Sequence, residues 1–191
     1  LHLFGLLAKY SGSSRPLLLM GHRVLASNHG PLSNIDRMAL ASGHAITASE
    51  LEHRLKWVMK LRSPGNPVDL TAGMPASNTF YLTFDDGYLD NLHAAAPVLE
   101  KLGVKAIIFL VSDLVANPNK LPWWDAWGEE ELAAHPDQAQ AVSAYGKRCL
   151  KYKKTSKGLL RDTNAFSSSA PGQRLYLTEE ELRQAGGKTF Y

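Results

Sequence analysis

Thr83-Phe84-Asp85-Asp86-Gly87-Tyr88 is the stretch from which the rest of this chain is read. Phe80, Tyr81, Leu82 and Phe84 are strand formers, so the two carboxylates stand where a short apolar strand ends. Gly87 permits the sharp turn that exposes them there. Adjacent carboxylates in that position suit hydrolysis at a hard divalent cation. One ligates the metal while its neighbour takes a proton from the metal-bound water. An Asp pair in a turn can equally cap the helix that follows, and the residues alone leave both readings open.

Downstream, Asn91 is placed to cap a short helical stretch that Pro97 interrupts or restarts at a first-turn position. Gly103 suits a helix C-cap, and Ala106 to Val111 is a second continuously apolar strand. Strand, short helix, strand predicts a βαβ unit and a parallel sheet. Chemistry in such sheets lies at the strands' C-terminal ends, which is where Asp85 and Asp86 fall. Upstream, Pro16 introduces Leu17-Leu18-Leu19-Met20, read as a buried strand that ends near His22. Residues 28–33 read as a loop. Thr47 and Glu50 form a capping box for a helix whose apolar stripe is Leu51, Leu55, Val58 and Met59. A Pro/Gly-rich loop follows, from Ser63 to Ser77.

The segment resembles the first motif, Thr-Phe-Asp-Asp-Gly, of the polysaccharide deacetylases, the carbohydrate esterases with a NodB-like catalytic domain. The likeness extends through Tyr88, Asn91, Pro97-Val98-Leu99, Leu102-Gly103 and the strand Ala106 to Val111. Upstream it takes in Gly21-His22-Arg23-Val24 and the helix with Leu51, Leu55 and Trp57. It covers roughly Leu17 to Trp127, within a single partial domain spanning 1–191, and 128–176 reads as a helical, basic insertion and linker. The resemblance implies the N-terminal part of a distorted (β/α) barrel with parallel strands. It also implies Asp85 as catalytic base, Asp86 as metal ligand, a divalent cation (zinc foremost) as cofactor, and an N-acetylated polysaccharide as partner. That family completes its metal site with a later His-x-x-x-His motif. None of the seven histidines here has that spacing. Leu177 to Tyr191 reads as the run-up to it, a helix from Thr178 capped by Glu181 and then a strand from Lys188, so the chain reads as truncated before the histidine pair.

Other residues carry a functional reading beside a plainer one. His22 ends a strand near the carboxylates and can orient substrate, or simply bond to backbone. Trp123, Trp124 and Trp127 can stack on sugar rings or fill core, and Trp124 is the candidate for substrate contact. His93 reads as exposed and Cys149 as a small half-buried residue. From Gln138 to Arg161 the chain carries seven bases and no acid, a solvated helical face or a polyanion surface. It lacks the aromatic interleaving of a nucleic-acid platform, and no nucleic acid is expected.

A single cysteine excludes an intrachain disulfide and a cysteine-built zinc site. No apolar run reaches the ~20 residues that span a bilayer. Leu1 to Ala8 is apolar but lacks the basic flank of a signal peptide. The compartment stays open between cytoplasm and cell envelope. A partial barrel leaves strand edges unpaired, so self-association is expected. The alternative to hydrolysis is a non-catalytic carbohydrate-binding or polyanion-binding fragment.

Overall fold

The computed structural model describes residues 15–27, 31–155, 166–168, 174–186 and 189–191. The apolar start at 1–8, the first half of the 28–33 loop, most of the Ser-rich stretch at 163–172, and Lys157 and Arg161 of the basic run lie outside them.

The chain is α/β, and its centre is strand β5, Thr79–Asp86. Strand β1, Leu17–Gly21, runs parallel along one edge of it, with Gly21 opposite Phe84. Along the other edge lie β4, Ser63–Pro64, and then β6, Ala106–Leu110, both parallel, with Asp85 opposite Phe109. The expected parallel sheet is therefore present. It continues past β6, because Tyr191 N–H donates to the Ala106 carbonyl and Phe190 bridges Ala106 in parallel. The strand read from the final residues is thus begun. A second parallel pair, β2 (Arg23–Leu25) with β3 (Ala45–Thr47), flanks helix α1, Asn34–Ser42.

One face of the sheet is covered. Leu19, Phe80, Leu82, Phe84 and Ala106 pack beneath Leu51, Leu55 and Val58 of α2 (Ala48–Met59) and Val98 and Leu99 of α4 (Ala96–Leu102). The Thr47–Glu50 capping box and the left-handed Gly103 C-cap stand where the sequence places them. The opposite face differs from expectation. Leu18, Met20 and Phe109 alternate with the core positions and are each more than half exposed. A continuously apolar strand implies cover on both faces, and among the described residues the helices supply it on one.

Three further readings are corrected. The Pro/Gly-rich stretch after Ser63 is not all loop: it holds β4 and a short helix α3, Pro67–Thr71, with Asn66 as its N-cap. Asn91 does not cap a helix. Itself fully buried, it opens a π-helical turn, Asn91–Ala95, and Asp90 takes the cap position. The helical part of the stretch read from 128 onward is two helices, α6 (Trp123–Ala134) and α7 (Gln138–Thr155), and α6 starts at the tryptophans themselves. Between β6 and α6 lie α5, Ser112–Ala116, and β7, Lys120–Pro122, which pairs antiparallel with β8, Phe166–Ser168. The last helix, α8 (Glu179–Ala185), carries the Thr178–Glu181 capping box read from sequence.

Helix α6 approaches α1 closely at Gly128, where an added Cβ would lie 2.9 Å from Met38 Cγ. Met38, Leu132, Ala141 and Tyr145 form a small core that holds α1, α6 and α7 together. Gly128→Ala adds helix propensity, but overpacking at ~1–3 kcal/mol exceeds that gain. We expect a net loss of about 1 kcal/mol, read as a lower urea midpoint at unchanged slope.

Candidate active site

The carboxylates stand at the C-terminal end of β5, on adjacent residues with different surroundings. Strand alternation puts Asp85 on the same sheet face as Thr83 and beside Phe109 of β6, where its side chain is 28% exposed. Asp86 departs from strand geometry with φ +72°, and Gly87 follows at φ +75°. A non-glycine residue in the left-handed region costs free energy, and such positions cluster at functional sites. The pair of left-handed residues swings Asp86 away from Asp85, toward a cavity of about 510 Å³ beneath α1, α6 and α7. Gly87 lies in the left-handed region that favours glycine, and an added Cβ would sit 2.7 Å from Leu110 Cδ2, a side-chain end that would have to shift.

His22, between β1 and β2, places Nε2 3.9 Å from Asp85 Oδ2. It also lines the cavity with Asp86. Burial raises the Asp86 carboxyl above the ordinary carboxylate range; the Asp85 charge adds to this, and His22 opposes it. Asp85, Asp86 and His22, named separately from sequence, are therefore neighbours.

Trp124 is placed beside this group in a different role from a free platform. Its Nε1–H donates to Tyr88 Oη at 2.9 Å, which ties the ring to the motif turn. Trp123 also lines the cavity and packs against Trp127 and Tyr152 at centroid distances of 4.7 Å each. Arg148 lies over the Trp127 ring. His93 is exposed and Cys149 is half-buried, as read.

Residues that sequence reasoning missed hold this arrangement in place. Asp125 is buried, and its Oδ2 accepts hydrogen bonds from Tyr88 Oη at 3.0 Å and Tyr176 Oη at 2.5 Å. Arg23 is 5% exposed, donates from Nε to Asp90, and pairs through Nη2 with Asp36 at 2.8 Å. Its guanidinium also lies 5.1 Å from the Tyr88 ring centroid. Asp90 in turn accepts from Val24 N–H. The spacing Asp90, Asp36, Arg23 has no local signature. Only Tyr88, as the residue after the motif glycine, was within reach of the sequence reading.

Among the described residues no three His, Cys, Asp or Glu side chains converge to hold a metal ion. Catalytic zinc sites use three protein ligands. The described residues therefore do not complete the metal centre that the resemblance implies.

The Asp125 carboxyl carries a pH signature. Burial pushes it up from 3.8 to about 6, opposed by the Tyr176 bond, the Arg23 charge and the Tyr88 bond. Folding thus favours its protonated form. That contribution is full below pH ~4 and is lost as pH rises through 6. Asp125→Asn stays neutral throughout, so its stability deficit against wild type should shrink from pH 4 to pH 7. Urea denaturation across that range checks it; a deficit independent of pH contradicts it.

Comparison with known proteins bears on the same residues. The sequence matches the polysaccharide deacetylase family over residues 72–149, which contain the motif turn, α6 and α7 up to Cys149. YxkH of Bacillus subtilis (strain 168), a polysaccharide deacetylase by name, is 32% identical over 91 residues. That alignment takes in 44% of this chain and 33% of the relative, so the chain spans about a third of the length of the curated relative it matches. Among solved structures, IcaB from Ammonifex degensii overlaps 55% of this chain and 41% of its own, at 26% identity and TM-score 0.40. A de-N-acetylase from Aggregatibacter actinomycetemcomitans overlaps 62% and 52%, at 18% identity and TM-score 0.40. The Streptococcus pyogenes deacetylase PplD overlaps 62% and 53%, at 18% identity and TM-score 0.41. With its Thr-Phe-Asp-Asp-Gly turn closing a strand of a parallel sheet, this chain is similar to the polysaccharide deacetylase family across residues 72–149, the stretch that holds that turn.

Proposed function

We propose that this chain acts on an N-acetylated amino-sugar polysaccharide, with Asp85 as the general base of N-deacetylation. The observation that carries the reading is the strained Asp85-Asp86-Gly87 turn, which sets one carboxylate on the sheet face and the other in a cavity. In this reading Asp85 takes a proton from water and the water oxygen adds to the acetyl carbon. The carbon–nitrogen bond then breaks, leaving acetate and a free amine that departs with a proton. His22 steadies Asp85 through their 3.9 Å pair and faces the substrate. Trp124, bonded to Tyr88, forms the fixed part of the sugar-binding wall.

Asp86 occupies the position that ligates a divalent cation, zinc foremost, in the family. The described residues do not complete that site. A non-catalytic carbohydrate-binding fragment is the second reading, favoured by the aromatic side chains that line the cavity.

Acetate release from N-acetylglucosamine oligomers separates the two. Hydrolysis by the wild type, reduced at least ~100-fold in Asp85→Asn, supports the first. Saturable sugar binding with no acetate released, unchanged in Asp85→Asn, supports the second. Zinc titration by calorimetry is expected to show no micromolar site; tight binding abolished in Asp86→Ala would mean that further ligands converge in solution. For self-association, the edges and the exposed Leu18, Met20 and Phe109 face supply the apolar surface. Sedimentation velocity should then show concentration-dependent species that Phe109→Lys reduces.

A further inference from the structure

The motif turn is held from outside its own strand. On the near side β5 pairs with β6 as far as Asp86, which stands opposite Leu110. On the far side residues 175–177 lie against the turn. Leu177 N–H donates to the Gly87 carbonyl at 3.0 Å, and Leu89 N–H donates to the Leu175 carbonyl at 2.7 Å. Tyr176 bridges Tyr88 antiparallel, with their ring centroids 4.6 Å apart. These contacts begin at the residue after Asp86. A non-glycine residue persists in the left-handed region only where its surroundings over-determine it. Residues 175–177 supply that constraint on the side where β5 has ended.

A carboxylate outside the cavity fixes this segment in turn. Arg174 Nη1 donates to the Tyr176 carbonyl at 2.7 Å. The same guanidinium pairs with Glu181 through Nη1 and Nη2, at 2.7 and 2.6 Å. Glu181 also accepts from Thr178 N–H and Oγ1, in the capping box of α8. One carboxylate thus joins the helix start, the guanidinium and the segment. A two-pronged guanidinium–carboxylate pair fixes direction as well as distance. Neither Arg174 nor Glu181 lines the cavity.

We infer that Arg174 and Glu181 are positioning residues for the carboxylate turn: their pair seats residues 175–177 on Gly87 and Leu89, and that seat keeps Asp85 and Asp86 directed apart. The inference rests on the deacetylase reading for what the turn does. It extends that reading to two residues outside the cavity.

Glu181→Gln separates the pair from the cap, because glutamine at this position still caps a helix. Amide hydrogen exchange by NMR on the full 191-residue chain reads the seat at Leu89 and Leu177. Val104, whose N–H donates to the Leu99 carbonyl at the end of α4, is the control. We expect Leu89 and Leu177 to exchange about fivefold faster in Glu181→Gln, the scale of a partly exposed ion pair, while Val104 keeps its rate. The Trp124 indole N–H resonance, which reports the Tyr88 hydroxyl, should shift. In an Arg174→Gln background, Glu181→Gln should add nothing, since Glu181 acts on the segment through Arg174. Unchanged exchange at Leu89 and Leu177, equal acceleration at Val104, or additive effects of the two substitutions would each overturn the inference. Acetate release is measured alongside, and kcat should fall in Glu181→Gln with KM retained. An unchanged kcat beside faster exchange would overturn the positioning role. A wild type that releases no acetate overturns the deacetylase reading instead, and the exchange rates then decide whether Arg174 and Glu181 hold the turn.

Discussion

The buried carboxylate of Asp125 is the point on which the site depends. A carboxylate out of water must be given donors or a proton, and here two phenols converge on one of its oxygens. Tyr88 comes from the motif turn, Tyr176 from the segment before the last helix, and Asp125 from α6. Trp124 adds its indole N–H to the same Tyr88 oxygen. The backbone follows the side chains. Residues 175–177 lie antiparallel to the motif turn, with Leu89 N–H donating to the Leu175 carbonyl and Leu177 N–H to that of Gly87. Burial and the Asp125 charge hold both phenols well above their usual range, so they stay protonated as donors.

Arg23 applies a second constraint from the other side. It is nearly inaccessible, yet two carboxylates and an aromatic face neutralise it. Breaking such a group by removing one partner is far more costly than the pair is favourable, because an uncompensated buried charge remains. Through Asp36 it docks α1, and through Asp90 it docks the turn that follows the motif. The cavity exists because these two polar clusters hold α1 and α6 at fixed separation, while Gly128 lets them meet at one end.

The sheet shows how one-sided cover shapes the rest. Helices α2 and α4 bury one face, and that apolar layer is the main core. The other face carries Asp85 among exposed Leu18, Met20 and Phe109, so the chemical group and the uncovered apolar surface are on the same side.

What the sequence determined by itself were features encoded within a few residues. The strand before Asp85, the two capping boxes at Thr47 and Thr178, the Gly103 cap and the parallel βαβ unit all stand where pattern placed them. So did the placement of Asp85 and Asp86 at a strand end, because a β-strand followed by a glycine turn is a local arrangement. Tertiary structure alone decided the walls of the site. Asp125 meets its tyrosines across 37 and 51 residues, and Arg23 meets Asp90 across 67. An isolated Asp or Arg looks the same in sequence whether it is solvated or buried, so no periodicity could select these. The exposed face of β1 and β6 was hidden for a related reason. A run of apolar residues states that burial is favourable, but only the packing of other elements decides which side receives it.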